Sequence, residues 1–240
     1  MEQFIFKDES KSLDKHGKSI LVIDEEEHFH LARVLRVRVG GRILATNGNG
    51  KTCLCSVREI GKDKSVCEII EEYHDLNLSL REYCIGIAML KPMSKVESAL
   101  EKCTELGARR FLLFNSERSE KVNPRLERLQ GVVKSAVKQS LQSYFPELIV
   151  ARNLKDAVTQ CGNYDEKMVL HEKAVEVVDG HLSLLTKEKS VIALIGPEGG
   201  FSEDEIKFLL ANGFKSFSLG KARLRSETAA IKIASLLGAY

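Results

Sequence analysis

Residues 195–206 read IGPEGGFSEDEI and place Gly196, Gly199 and Gly200 directly after a short apolar run, SVIALI. A helix signal follows, so the stretch reads as strand, glycine-rich loop, helix. Loops of this kind commonly hold phosphate on backbone N–H groups at a helix N-terminus. This one is built differently. A P-loop needs a lysine where Phe201 stands, G-x-G-x-x-G spacing is missing, and Glu198 would repel a pyrophosphate. Two readings stay open: a tight turn before a well-capped helix, or a seat for a ligand that lacks phosphate and carries positive charge.

Two further stretches share this setting. LGKARLRSETAA (219–230) runs from a predicted strand end into a helix and crowds Arg223, Arg225, Glu227 and Thr228 together; Leu170, His171 and Glu172 close another strand. In open parallel sheets, ligands bind beyond the carboxyl ends of the strands, so three such loops at one edge make a pocket. S-adenosylmethionine, with an adenosine, a sulfonium and an amino-acid end, meets the requirement for a cationic, phosphate-free ligand, and glycines let backbone groups approach an adenine edge. An arginine beside a glutamate is also the commonest form of surface ion pair, which is the plainer reading of Arg225 and Glu227 alone.

The elements that must position these loops fall into two groups. The first 74 or so residues read as short strands: SILVI (19–23), a hairpin across Asn47-Gly48 in RILATNGNGKTCLCSV, and SVCEIIEEY after the turn GKDK. One helix interrupts them, with Asp24 as N-cap, Glu27 three residues on, and HFHLARVLRV after it. Strands this short and close suggest a compact barrel. The polar stretch YHDLNLS (73–79) marks the boundary, giving domains of 1–74 and 75–240. Beyond it strands and helices alternate, which implies a parallel sheet covered on both faces. The strands are YCIGIAML, RFLLF, KMVL, SVIALI and FKSFSL. Ser94 with Glu97, and Ser202 with Glu205, are capping-box signatures; Asn123-Pro124 opens a long helix to about Gln142, and Ser226 opens the last one.

Charge and cysteines narrow the class. The chain of 240 residues has a net charge of only +2, so its total charge does not announce a nucleic-acid binder, but the distribution is uneven. No acid lies between His28 and Val57, where Arg33, Arg36, Arg38, Arg42 and Lys51 stand; past Glu205 the only acid is Glu227. Arg33 and Arg36, spaced i,i+3, would share one helix face toward an RNA backbone, with Val34, Leu35 and Val37 turned inward. A structural role is the simpler reading of His28, Phe29 and His30. The six cysteines show no C-x-x-C pair and no zinc-type histidine spacing, and no segment approaches the ~18 apolar residues of a membrane helix. These features predict a cytoplasmic protein with reduced thiols and no metal or membrane partner.

The motifs together resemble a known family. LIGPEGGFSEDEI and LG…LRSETA are similar to the signatures of the RsmE family, the 16S rRNA (uracil-N3)-methyltransferases of the SPOUT, or α/β-knot, superfamily. HFHLARVLRVRVGGRI resembles the family's His…VLR…GD-x-I element, KVESALEKCTELGARRFLLFNSERS its E…QKATELG…SERS helix and strand, and AVKQSLQSYFP its EQS…P helix. The resemblance runs in order along nearly the whole chain. It implies a small PUA-like β-barrel followed by a SPOUT domain with a deep trefoil knot and a mostly parallel sheet. It also implies S-adenosylmethionine as cofactor, 16S rRNA within the small ribosomal subunit as substrate, and a homodimer. By match, the cofactor pocket is Leu170, His171, Glu172, Ile195, Gly196, Glu198, Gly199, Gly200, Leu219, Leu224, Arg225, Glu227 and Thr228. Arg225, Glu227 and Glu198 are the catalytic candidates. Arg33, Arg36, Arg118, Lys138 and Gln139 are the RNA-binding candidates.

The chain departs from the family pattern at four places. Ala222 occupies an arginine position, with Arg223 one residue later; Lys138-Gln139-Ser140 stands for Glu-Gln-Ser; Leu141-Gln142 stands for Gly-Arg; and the arginine common near the N-terminus is missing from MEQFIF. These departures bear on substrate contacts. They keep two alternatives in view: a SPOUT enzyme acting on another RNA or on a ribose 2′-oxygen, and a ribosome-assembly RNA-binding factor without catalysis.

Overall fold

The structure, a computed structural model, describes residues 1–120, 122, 124–182, 186 and 188–238. It divides into two compact units: Met1–Leu78 with Val137–Phe145, and Ser79–Ala136 with Pro146–Tyr240.

The first unit holds strands β1 (Gln3–Ile5), β2 (Lys11–Leu13), β3 (Ser19–Asp24), β4 (Arg42–Thr46), β5 (Lys51–Ile60) and β6 (Lys64–His74), with helix α1 (Glu25–Phe29) after β3. The strands form one sheet in the order β1-β4-β5-β6-β3-β2. Only β1 and β4 pair in parallel; the remaining neighbours are antiparallel. Alternate residues of β5 turn inward, so Cys53, Cys55 and Val57 join Phe4, Leu21, Ile23, Leu31, Ile43 and Cys67 in a single core. Burial pushes the Cys53 thiol up to about 11 and that of Cys67 up to about 12, which leaves them inert packing groups. Asn47 closes the β4–β5 turn, its Oδ1 accepting from the backbone N–H of Asn49 and of Lys51. Gly48 is required beside it: φ is +70°, and a Cβ there would lie 2.0 Å from the Phe145 ring.

The expected first helix is shorter than its sequence suggests. Asp24 is the N-cap, but its side chain makes no capping bond, and α1 passes into a π-helical turn that ends at Val34. Arg36 then takes a left-handed φ of +51°. Arg33 and Arg36 therefore do not share a helix face, and Val34 is exposed at 57% rather than turned inward. Glu27 does not close a capping box with Asp24: its carboxylate accepts the Ile5 N–H at 3.1 Å and pairs with Lys138 at 2.8 Å. His28 is structural, as the simpler reading has it: Nδ1 lies 2.9 Å from Ser65 Oγ and Nε2 3.1 Å from the Lys62 carbonyl.

The second unit contains β7 (Tyr83–Ala88), α2 (Ser94–Glu105), β8 (Arg110–Phe114), α3 (Leu126–Ser140, whose last turn belongs to the first unit), β9 (Glu147–Ala151), α4 (Leu154–Thr159), β10 (Glu166–Leu170), α5 (Val178–Leu182), β11 (Val191–Ile195), α6 (Glu203–Ala211), β12 (Lys215–Phe217) and α7 (Ser226–Leu237). Every pair in its sheet is parallel, in the order β12-β10-β11-β7-β8-β9. After β11 the chain passes back to the far side of β10, and α7 then returns to pack on α2, β7 and β11. The central strands of this all-parallel sheet are continuous apolar runs, as burial on both faces demands. Strand β9 was not foreseen from the sequence; it is an edge strand with mixed burial, so its pattern is weak. The predicted cap Asn123 lies outside the described residues.

Candidate functional site

Three loops leave the carboxyl ends of β10, β11 and β12 and converge on one cavity of about 960 Å³. The β10 loop brings Leu170 to Lys173, the β11 loop brings Ile195 to Phe201, and the β12 loop brings Ser218 to Ser226. The parallel register accounts for the convergence. Leu170 pairs with Ile195 on one side and with Phe217 on the other, so all three chains leave the sheet at the same level.

The Gly196–Gly200 loop is held from several directions. Gly196 packs so closely that a Cβ would sit 3.0 Å from the Phe201 nitrogen, and Gly200 has a φ of +66°. The capping box predicted for α6 is complete. Ser202 Oγ accepts the Glu205 N–H, and Glu205 Oε2 accepts the Ser202 N–H at 2.9 Å. Glu198 meets Lys95 of α2 at 2.9 Å. Burial works to raise the Glu198 pKa, but the Lys95 hydrogen bond and charge outweigh it and hold the carboxyl below its ordinary value. A carboxylate so stabilised is a weak proton acceptor, which counts against Glu198 as a general base.

The other expected residues divide clearly. Leu170, His171, Glu172, Ile195, Gly196, Glu198, Gly199, Gly200, Leu219, Leu224 and Arg225 all line the cavity. Glu227 and Thr228 do not. Ser226 and Ala229 line it one helical turn apart, and at about 100° per residue the two positions between them point elsewhere. Thr228 is exposed, while Glu227 is partly buried and its Oε2 is enclosed with no hydrogen-bond partner among the described residues. Arg225 occupies the N-cap position of α7 and is exposed; among the described residues no carboxylate pairs with it. Arg223, one position after Ala222, forms a rim ion pair with Glu172 at 3.4 Å.

The RNA candidates are scattered. Arg33 and Gln139 are exposed in the first unit. Lys138 is not a free cation: it is bound to Glu27 and lies 5.7 Å from the centre of the Phe4 ring. Arg118 belongs to the cavity wall, donating from Nη1 to the Gly199 carbonyl at 2.9 Å. Sequence reasoning missed Lys95, which sits inside a helix signature and carries no motif of its own. It also missed Lys173, Phe201, Ser218 and Lys221; each adjoins a residue that was named, so widening the motifs by a residue or two would have found them. Among the described residues, no group of three or more His, Cys, Asp or Glu could hold a metal ion, and no helix is long and apolar enough to cross a membrane.

Residues 77–238 match the model of the RNA methyltransferase domain, and residues 23–70 match that of the RNA methyltransferase PUA domain. The ribosomal RNA small subunit methyltransferase E of Aquifex aeolicus is 30% identical over 94% of this chain and 96% of its own length. This chain belongs to the ribosomal RNA small subunit methyltransferase E family. The Bacillus subtilis member is 28% identical over 86% of this chain and 85% of its own. A crystal structure of the Neisseria gonorrhoeae enzyme, described as bound to S-adenosyl methionine, superposes with a TM-score of 0.85 at 24% identity, covering 98% of this chain and 95% of that one. In the β12 loop Arg223 pairs with Glu172, while Arg225 has no carboxylate partner among the described residues.

Proposed function

We propose that this chain, as a homodimer, transfers the methyl group of S-adenosylmethionine to N3 of a uridine in 16S rRNA of the small ribosomal subunit. The observation that carries the reading is the convergence of the three strand-end loops on one cavity that also holds Arg225. The residues present suit the cofactor. Leu170, Ile195, Leu219 and Leu224 offer apolar walls for an adenosine, and the lining carries both signs of charge for a zwitterionic amino-acid end. When bound, the cofactor supplies an electrophilic methyl on a sulfonium.

The chain's own residues then have two tasks. The first is alignment, which the braced Gly196–Gly200 loop serves by fixing one wall of the cavity. The second is electrostatic. As the N3 proton leaves, negative charge spreads onto uracil O2 and O4, and the Arg225 guanidinium stabilises it. Glu198, held ionised by Lys95, fixes the loop rather than taking the proton, which passes to water. The test is incubation of the purified protein with methyl-labelled S-adenosylmethionine and unmodified small subunits, followed by digestion of the RNA. Label in 3-methyluridine at one site is the expected result; label on a ribose, or none, sinks the reading. Arg225→Ala should keep cofactor binding and lose about 10²–10³-fold in turnover.

A further inference from the structure

We infer that Arg118 binds a phosphodiester of the RNA substrate at the cavity wall, and that Glu205 is the positioning residue that places it there. The inference rests on the reading of the site as an RNA methyltransferase pocket and adds a substrate contact from outside the three motif loops.

Glu205 does more than cap α6. Its carboxylate accepts the Ser116 hydroxyl at 2.8 and 3.0 Å and the Glu117 N–H at 2.8 Å, in addition to the Ser202 N–H. Two oxygens with about four lone-pair sites are thereby filled by three donors. This ties the loop after β8 to the N-terminus of α6. The next residue along that loop is Arg118, whose Nη1 reaches the Gly199 carbonyl at 2.9 Å, while its Cδ would sit 3.4 Å from a Cβ on Gly199. The connections close a ring from Gly199 through Ser202, Glu205 and Glu117 to Arg118. A long, flexible side chain is fixed at its backbone and near its tip before any ligand arrives, which reduces the entropy lost on binding.

The ring does not use the charge. Among the described residues, no carboxylate pairs with Arg118. The lining acids are largely committed: Glu172 to Arg223 and Glu198 to Lys95. Lys173, Lys221, Arg225 and Arg118 line the cavity without a carboxylate partner among the described residues, against Glu203 alone. That imbalance fits an anion. Arg118 is exposed, whereas Leu170, Ile195 and Phe201 of the same lining are buried, so it faces the rim rather than the seat of a base ring. A planar guanidinium at a rim matches the paired oxygens of a phosphodiester.

The test measures binding of an unmodified small-subunit rRNA transcript at several salt concentrations, alongside cofactor affinity. Arg118→Ala should weaken RNA binding about tenfold. It should lower the slope of log K against log salt by about 0.7–0.9. Cofactor affinity should change less than about twofold, well below that loss. Arg118→Lys, which keeps the charge, should restore the slope. Glu205→Gln should weaken RNA binding in the wild-type background and add nothing in the Arg118→Ala background. Loss of cofactor affinity equal to the loss of RNA affinity would show that Arg118 only props the Gly199 loop. An unchanged salt slope, or no RNA binding by the wild type, would equally overturn the inference. Absence of methyl transfer with these binding effects intact would instead remove the catalytic reading and leave the contact standing.

Discussion

Ser94-x-x-Glu97 and Ser202-x-x-Glu205 carry the same signature, and only the second forms the structure it predicts. At α6, Ser202 and Glu205 exchange both capping bonds. At α2, the N-cap is Met93, Ser94 is already helical, and no side chain caps the end. Glu97 turns to Arg128 at 2.6 Å instead. Glu27, three residues after Asp24, behaves likewise, pairing with Lys138. The lesson is that a glutamate in the first turn goes to the strongest partner within reach. An arginine or lysine nearby takes it from the cap, whereas backbone N–H groups and a hydroxyl, as around Glu205, leave the box intact and are held by it.

The comparison is broken most forcefully at Glu205. Glu205→Ala removes the box and leaves the Ser116 hydroxyl and Glu117 N–H without their acceptor. The expected cost is about 3 kcal/mol. That corresponds to a fall of about 6–12 °C in Tm. Glu97→Ala should lower Tm by less than half as much, because it removes an ion pair to an arginine that is 66% exposed and disturbs no cap. Equal losses in the two variants, measured by thermal unfolding under one set of conditions, would show that the two signatures do the same work after all.

A subtler test uses pH. Glu198, like Glu97, has gone to a cation, and Lys95 holds its pKa below the ordinary 4.5. A carboxyl with a depressed folded pKa stabilises the fold fully above its unfolded value, and the benefit disappears as pH falls through the folded value. The wild type should therefore exceed Lys95→Met in urea midpoint by a constant margin above about pH 5.5, and the margin should close below pH 4.5. A margin that persists into acid would mean that the lysine contributes by packing its stem, not by its charge.

The same competition for partners explains how much was legible beforehand. Both groups of elements, the three strand-end loops and their shared edge could be read, because apolar runs, glycines and a parallel sheet leave few arrangements. Leu170, Gly196 and Arg225 arrived together for that reason. Glu227 and Thr228 did not, because a motif written as a string ignores helical rotation. The left-handed turn at Arg36 was not legible, because nothing local signals such a conformation at an arginine. Lys95, Arg118 and Lys138 owe their roles to partners distant in sequence, at Glu198, Gly199 and Glu27. Periodicity carries no trace of such pairs.

Leu141 offers the smallest and cleanest perturbation. Helix α3 stops at Ser140, one to two residues before the end expected from its pattern, and Leu141 then adopts a φ of +57°. That conformation costs an L-residue about 1–2 kcal/mol, and glycine adopts it freely. What holds the turn against the strain is on either side of it: the Gln142 N–H bonds back to the Val137 carbonyl, the Gln142 carbonyl accepts from Gln3 Nε2 at 2.8 Å, and the Leu141 carbonyl accepts from Asn77. These bonds fix the backbone whatever side chain it carries. Leu141→Gly should therefore relieve the strain, lose part of the gain to the greater entropy of an unfolded glycine, and stabilise the protein by a net of about 0.5 kcal/mol. A destabilised variant, measured by urea unfolding, would mean that the packing of the leucine side chain outweighs the strain of its backbone.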